Sequence, residues 1–180
     1  MNNMFIDSSD RSAKLDGIIN RVIKCQSCFK CCKNSSAFVL SHEVEGLLRL
    51  DVPLHEVNGV NFITPNADGC CPKLNKYNKC EIYENRPIAC RIFPFYLMNR
   101  RDYPRQWVLF QFCPIDNWLL PTTKGRPSPT LLRLMAFDIE KLFAIEEIVE
   151  MANADNSISK RDRLEVGFNV LHRIMATQKC

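Results

Sequence analysis

Histidine is scarce in this chain, three residues among 180, so imidazole is not its principal donor for metal or acid–base chemistry. No apolar run approaches the ~18–20 residues of a membrane-spanning helix. Residues 1–14 are polar and lack the apolar stretch of an export signal, and a soluble, cytoplasmic protein is expected. No glycine-rich loop of the kind that cradles a nucleotide or S-adenosylmethionine is present, nor any internal repeat or low-complexity tract. A large excess of charge of one sign is also lacking: the net value is +4.

Cysteine is what the chain has. Cys25-x2-Cys28-x2-Cys31-Cys32 is followed by Cys70-Cys71, Cys80, Cys90 and Cys113, with Cys180 as a terminal outlier. Thiols this dense read as ligands for a soft metal or an iron-sulfur cluster. The competing reading is a disulfide framework, since ten is an even number. Nothing marks the chain for an oxidising compartment, and cysteine, at about 6%, falls below the ~8–10% of disulfide scaffolds. With 46% hydrophobic residues, the chain can bury a core without covalent staples. The vicinal pairs are also awkward partners for disulfide geometry.

Cys25, Cys28 and Cys31 reproduce the first three positions of the bacterial ferredoxin run, but Ser35 stands where its fourth cysteine would be. Further ligands must therefore come from elsewhere. Vicinal cysteines are expected to point in different directions, which favours two centres, or one centre with a spare thiol. Basic residues sit where thiolates would need them: Arg21, Lys24, Lys30 and Lys33 around the first run, and Arg86, Arg91, Arg100, Arg101 and Arg105 around and after Cys90. Tyr83, Arg86 and Arg91 either tune a cluster or serve packing and carboxylate binding. The competing reading of the cations is a nucleic-acid face with Phe93, Phe95, Tyr96, Tyr103 and Trp107 as stacking platforms; it is the less favoured one, since those aromatics fit a core equally well. His42 and His55 read as locally bonded surface groups, and Asp68, Glu81 and Glu84 as caps and surface pairs.

Apolar spacing predicts a helix over 12–24 leading into Cys25, a short helix over 42–50 capped by Ser41, and a strand over 57–64. Cys71 and Cys80 fall on the two arms of a small hairpin, and Cys90 in a short helix opened by Pro87. A strand is predicted over 107–112. Residues 121–129 form a proline-rich loop. Helices over 128–152 and 159–177, broken at 153–156, complete an αα-hairpin. Its acids Asp138, Glu140, Glu146, Glu147 and Glu150 are expected to face solvent.

The strings Cys25-x2-Cys28-x2-Cys31-Cys32, Gly69-Cys-Cys71-Pro-Lys-Leu74, Cys80-Glu-Ile-Tyr83-Glu-Asn-Arg86-Pro87-Ile-Ala-Cys90-Arg91 and Phe93-Pro94 resemble the YkgJ-type cysteine-cluster proteins, a zinc- or iron-chelating CxxCxxCC family. The resemblance runs from about Lys24 to Pro114. It implies metal binding through Cys25, Cys28, Cys31, Cys32, Cys71, Cys80, Cys90 and Cys113, and leaves Cys70 and Cys180 outside the pattern. A related motif accompanies flagellin lysine N-methylase, a much longer protein, and methylation is not carried over.

The expected fold is α+β: a small, loop-rich, cysteine- and metal-centred domain over 1–120 with short strands and helices, then the loop and a C-terminal α-helical hairpin over 130–180 packed on it. The expected function is binding of zinc or an iron-sulfur cluster for redox or metal-handling work beside a protein partner. The alternatives are an iron-sulfur enzyme and a structural-zinc module that binds protein or, less favoured, nucleic acid. Cys25, Cys28, Cys71, Cys80 and Cys90 are expected to matter most.

Overall fold

The computed structural model describes residues 8–23, 29–33, 36–100, 103–110, 127–157 and 168–173. Cys25, Cys28, Cys113 and Cys180 lie outside them, as does most of the proline-rich loop.

Helix α1 (Ser8–Ile19) buries Leu15 and Ile19 along the expected face. The apolar pattern outruns the helix, because the N–H groups of Val22 and Ile23 both turn back to the Ile19 carbonyl, which buries those two side chains from a tight turn.

Three short strands make the first antiparallel sheet: β1 (Phe38–Val39), β2 (Leu54–Val57) and β3 (Val60–Ile63), with β3 in the middle. The single strand expected over 57–64 is therefore a hairpin. Asn58 (φ 52°) and Gly59 (φ 78°) are both left-handed, as a two-residue hairpin turn of the mirror-image type demands. That dipeptide was the available signal. Between β1 and β2, a 3-10 turn at Ser41–Glu43 runs into α2 (Val44–Leu48). Ser41 does not cap it. Its N–H and hydroxyl instead donate to the Glu150 carboxylate at 2.6 and 2.7 Å.

The second antiparallel sheet has the order β4 (Phe95–Arg100), β5 (Tyr103–Phe110), β6 (Phe168–Arg173). The helix expected over 159–177 thus gives way to a strand at Phe168–Arg173. Pairing there occupies the backbone groups along the second edge of β5.

The single helix expected over 128–152 is two helices, so the helical pair lies at 129–157 rather than at 128–152 and 159–177. Ser128 Oγ accepts the Leu131 N–H at 3.2 Å and Pro129 opens α4 (Pro129–Glu140). The break falls at 141–144, before α5 (Ile145–Ser157), and 153–156 continue that helix. Glu147 decides this by accepting the Ala144 N–H at 3.0 Å, the backward half of a capping box. The acids of this pair are not a uniformly solvated face. Glu147 binds Arg11 through both oxygens at 2.6 Å, Glu150 binds Ser41, and Glu140 accepts the indole N–H of fully buried Trp107 at 2.9 Å.

Strand alternation sorts residues between two cores. Phe38, Val60 and Phe62 join α1, α3 (Ile88–Ile92), β4, β5, α4 and α5 in the main one. Val39 and Ile63 join Leu47, Val52 and Ile82 in a smaller one, against which Cys71 and Cys80 pack. Phe95, Tyr96 and Trp107 are buried, so these rings are core rather than stacking platforms.

Candidate metal centre

The site is assembled from short segments. Phe29 adopts a left-handed φ of 44°, costing about 1–2 kcal/mol for a residue with a Cβ, and its carbonyl accepts the Cys32 N–H at 2.9 Å. That opens a 3-10 turn at Lys30–Cys32. Adjacent side chains in such a turn are separated by about a third of a circle rather than half. Cys31 and Cys32 consequently reach the same cavity, with Sγ atoms 3.9 Å apart. Two sulfurs bound at ~2.3 Å to one tetrahedral zinc stand about 3.8 Å from each other. The expectation that this pair diverges is corrected.

Next, the Cys32 carbonyl accepts the Cys71 N–H at 2.7 Å, and Lys33 pairs with Cys70 in an antiparallel bridge. Extended geometry alternates faces. Cys71 therefore lines the cavity with Cys32, whereas Cys70 does not; its N–H donates to Asp68. The hairpin from Cys71 to Cys80 is a tight turn rather than two strands. The Asn75 side chain accepts the N–H groups of Tyr77 and Lys79, Asn78 is left-handed, and Leu74 bridges Cys80. Helix α3 then presents Cys90.

Cys31, Cys32, Cys71, Cys80 and Cys90 thus line one cavity of about 390 Å³, whose other walls include Phe38, Phe62, Phe93, Phe95 and Tyr96. Burial first, then the neighbouring thiols, pushes Cys71 up to about 11 and Cys90 well above the ordinary thiol range; Arg86 opposes the shift at Cys90. Cys31, Cys32, Cys71, Cys80 and Cys90 would reverse this balance on taking a divalent ion, which would favour their thiolate forms. Among the described residues no three Cys, His, Asp or Glu side chains stand within one ion's coordination sphere. The five thiols share walls, not a point. As a donor set they are soft: Glu84 also lines the cavity but is exposed, and His42 and His55 are exposed and bonded to Glu147 and Thr64 respectively and do not reach it.

Behind the cysteines lies a buried charge cluster that the sequence only hinted at. Arg91 Nη1 meets Asp16 Oδ2 at 2.6 Å and Arg86 Nη2 meets Asp16 Oδ1 at 3.2 Å. Arg91 also donates to the carbonyls of Arg86 and Glu84, and Arg86 Nε to the Tyr83 carbonyl at 2.7 Å. Arg86 stacks on the Tyr83 ring, Cζ to centroid 3.6 Å. Both functions foreseen for Tyr83 and Arg86, packing and carboxylate binding, are realised together.

Glu43 ties this cluster to α3. Its carboxylate accepts the Ile88 N–H at 2.7 Å and the Leu40 N–H at 3.1 Å. Burial raises its pKa from 4.5 to about 7, against the pull of those N–H groups and of Arg11 and Arg91. The folded chain therefore holds this proton more tightly than the unfolded one, and stability falls as pH rises from about 4.5 through 7. Relative to wild type, Glu43→Gln should gain about 2–3 kcal/mol between pH 5 and pH 8, read from urea unfolding at the two pH values. Parallel profiles would refute the assignment.

The fold and site define a small α+β, cysteine-centred domain. The family model described as "CxxCxxCC: Putative zinc- or iron-chelating domain" matches residues 24–114, half of the chain. The chain belongs to that family. No curated protein and no solved structure matches it significantly. Among the described residues no helix is long and apolar enough to cross a membrane.

Proposed function

We propose that this protein holds zinc or an iron-sulfur cluster through its cysteines, in the manner of YkgJ-type proteins, and serves redox or metal handling. The observation that supports this most directly is that five thiols from separate segments line one largely apolar cavity. Cys31, Cys32, Cys71, Cys80 and Cys90 would hold the group, together with Cys25, Cys28 and Cys113. The group supplies Lewis acidity if zinc, or an electron if a cluster. The chain's residues do the rest: aromatic walls exclude water, and the Arg86–Arg91–Asp16 cluster anchors α3 beneath Cys90. Protein purified anaerobically should contain stoichiometric zinc, or iron with acid-labile sulfide. Elemental and sulfide analysis of the reduced protein decides between the two, and protein free of zinc, iron and sulfide refutes both.

A further inference from the structure

Arg86 faces two environments. On one side it lines a polar groove with Asp16, Glu43 and Arg91. On the other it lines the cysteine cavity. Its side chain is 8% exposed, and stacking on Tyr83 with a bond to the Tyr83 carbonyl holds it there. The carboxylate paired with it is shared. Asp16 makes the shorter contact, 2.6 Å, to Arg91, and the longer, 3.2 Å, to Arg86. Glu43, a second acid of the groove, gives its oxygens to the backbone of Leu40 and Ile88, and a third, Glu84, borders both the groove and the cavity. Glu84 is exposed, and it is its carbonyl that meets Arg91.

A buried guanidinium with part of one carboxylate is under-compensated, and a buried charge requires an anion. The cavity can supply it. A divalent ion held by four thiolates carries net negative charge, and the cost of placing that charge in an apolar cavity falls if a fixed cation stands beside it. Lys79 also reaches the cavity wall but is exposed, so solvent screens it. We propose that Arg86 is the counter-charge of the metal–thiolate centre and that Asp16 limits how much of its charge the centre receives. This rests on the metal-binding reading above.

The test uses reduced full-length protein with Co(II) as probe against a competing chelator. Arg86→Met should weaken Co(II) binding by about tenfold, the scale of one charge acting through a partly screened interior. Arg86→Lys should restore most of that affinity, because it keeps the charge. Asp16→Asn should tighten binding by about threefold or more, although it breaks the same ion pair and lowers the thermal midpoint as Arg86→Met does. Opposite affinity shifts from two destabilising variants are what a purely structural ion pair cannot produce. If both weaken binding in step with lost stability, or if Arg86→Lys binds no better than Arg86→Met, the counter-charge role is overturned while metal binding stands. Wild-type protein that takes up no Co(II) overturns both. Where Arg86→Met does not fold, Asp16→Asn decides alone: tighter Co(II) binding with a lowered thermal midpoint supports the counter-charge role, and unchanged or weaker binding overturns it.

Discussion

Cys90→Ser is expected to lose its metal and, with it, much of its stability, whereas Cys70→Ser keeps full metal content. Loss of an outer-shell partner alone typically costs about 10–100-fold in metal affinity, so loss of a thiolate ligand should exceed about a hundredfold. Serine is a harder donor that stays protonated at neutral pH, and at position 90 its hydroxyl would occupy a half-buried place on the cavity wall. Apparent binding free energies of structural zinc run to about 10–16 kcal/mol in small domains, so a large part of the folding free energy goes with the ion. Cys71→Ser should behave like Cys90→Ser. The contrast between positions 70 and 71 is the sharper measurement, because the two residues are neighbours in sequence and differ only in which face of an extended segment they occupy. Metal content after gel filtration and urea unfolding of each variant are the readouts. Full stoichiometry in Cys71→Ser and Cys90→Ser would reject the ligand assignment.

Arg91→Met should destabilise the protein by roughly 3–5 kcal/mol, as removal of one member of a buried charge network does. The guanidinium is 6% exposed and binds Asp16 and two backbone carbonyls. Methionine fills comparable volume but leaves both carbonyls without that donor, and each buried unsatisfied acceptor costs about 1–3 kcal/mol. For a urea m-value of about 1–3 kcal/mol/M, the midpoint should fall by more than about 1 M. Arg49→Met is the control: its pairing with Glu45 is between side chains 73% and 79% exposed, and such pairs contribute at most about 1 kcal/mol. Equal losses in the two variants would show that the Arg91 cluster is solvated in solution.

The elements that could be read from the chain are those whose signal is local. Helix α1 follows from the spacing of Leu15, Ile18 and Ile19, and α4 from Ser128-Pro129. Helix α3 follows from Pro87, and the Cys71–Cys80 turn from its polar residues. The chemistry of the centre was equally local, since cysteine density, vicinal pairs and missing histidines concern composition and spacing. Misreadings occurred where a distant residue decides. The break between α4 and α5 is the exception, since its capping contact from Ala144 N–H to Glu147 is local. The acids Glu140 and Glu150 look like a solvated face until Trp107 and Ser41 are brought to them. A helix expected near the C-terminus becomes β6 because β5 offers it a partner.

The chain by itself determined the donor chemistry and the α+β class, because thiol identity and apolar periodicity are carried residue by residue. Only the tertiary structure decided which thiols meet. A 3-10 turn aims Cys31 and Cys32 together while an extended bridge sends Cys70 and Cys71 apart, and one carboxylate on α1 holds the two arginines that flank Cys90. Side-chain direction depends on backbone angles and on partners far along the chain, and neither is written in the spacing of cysteines.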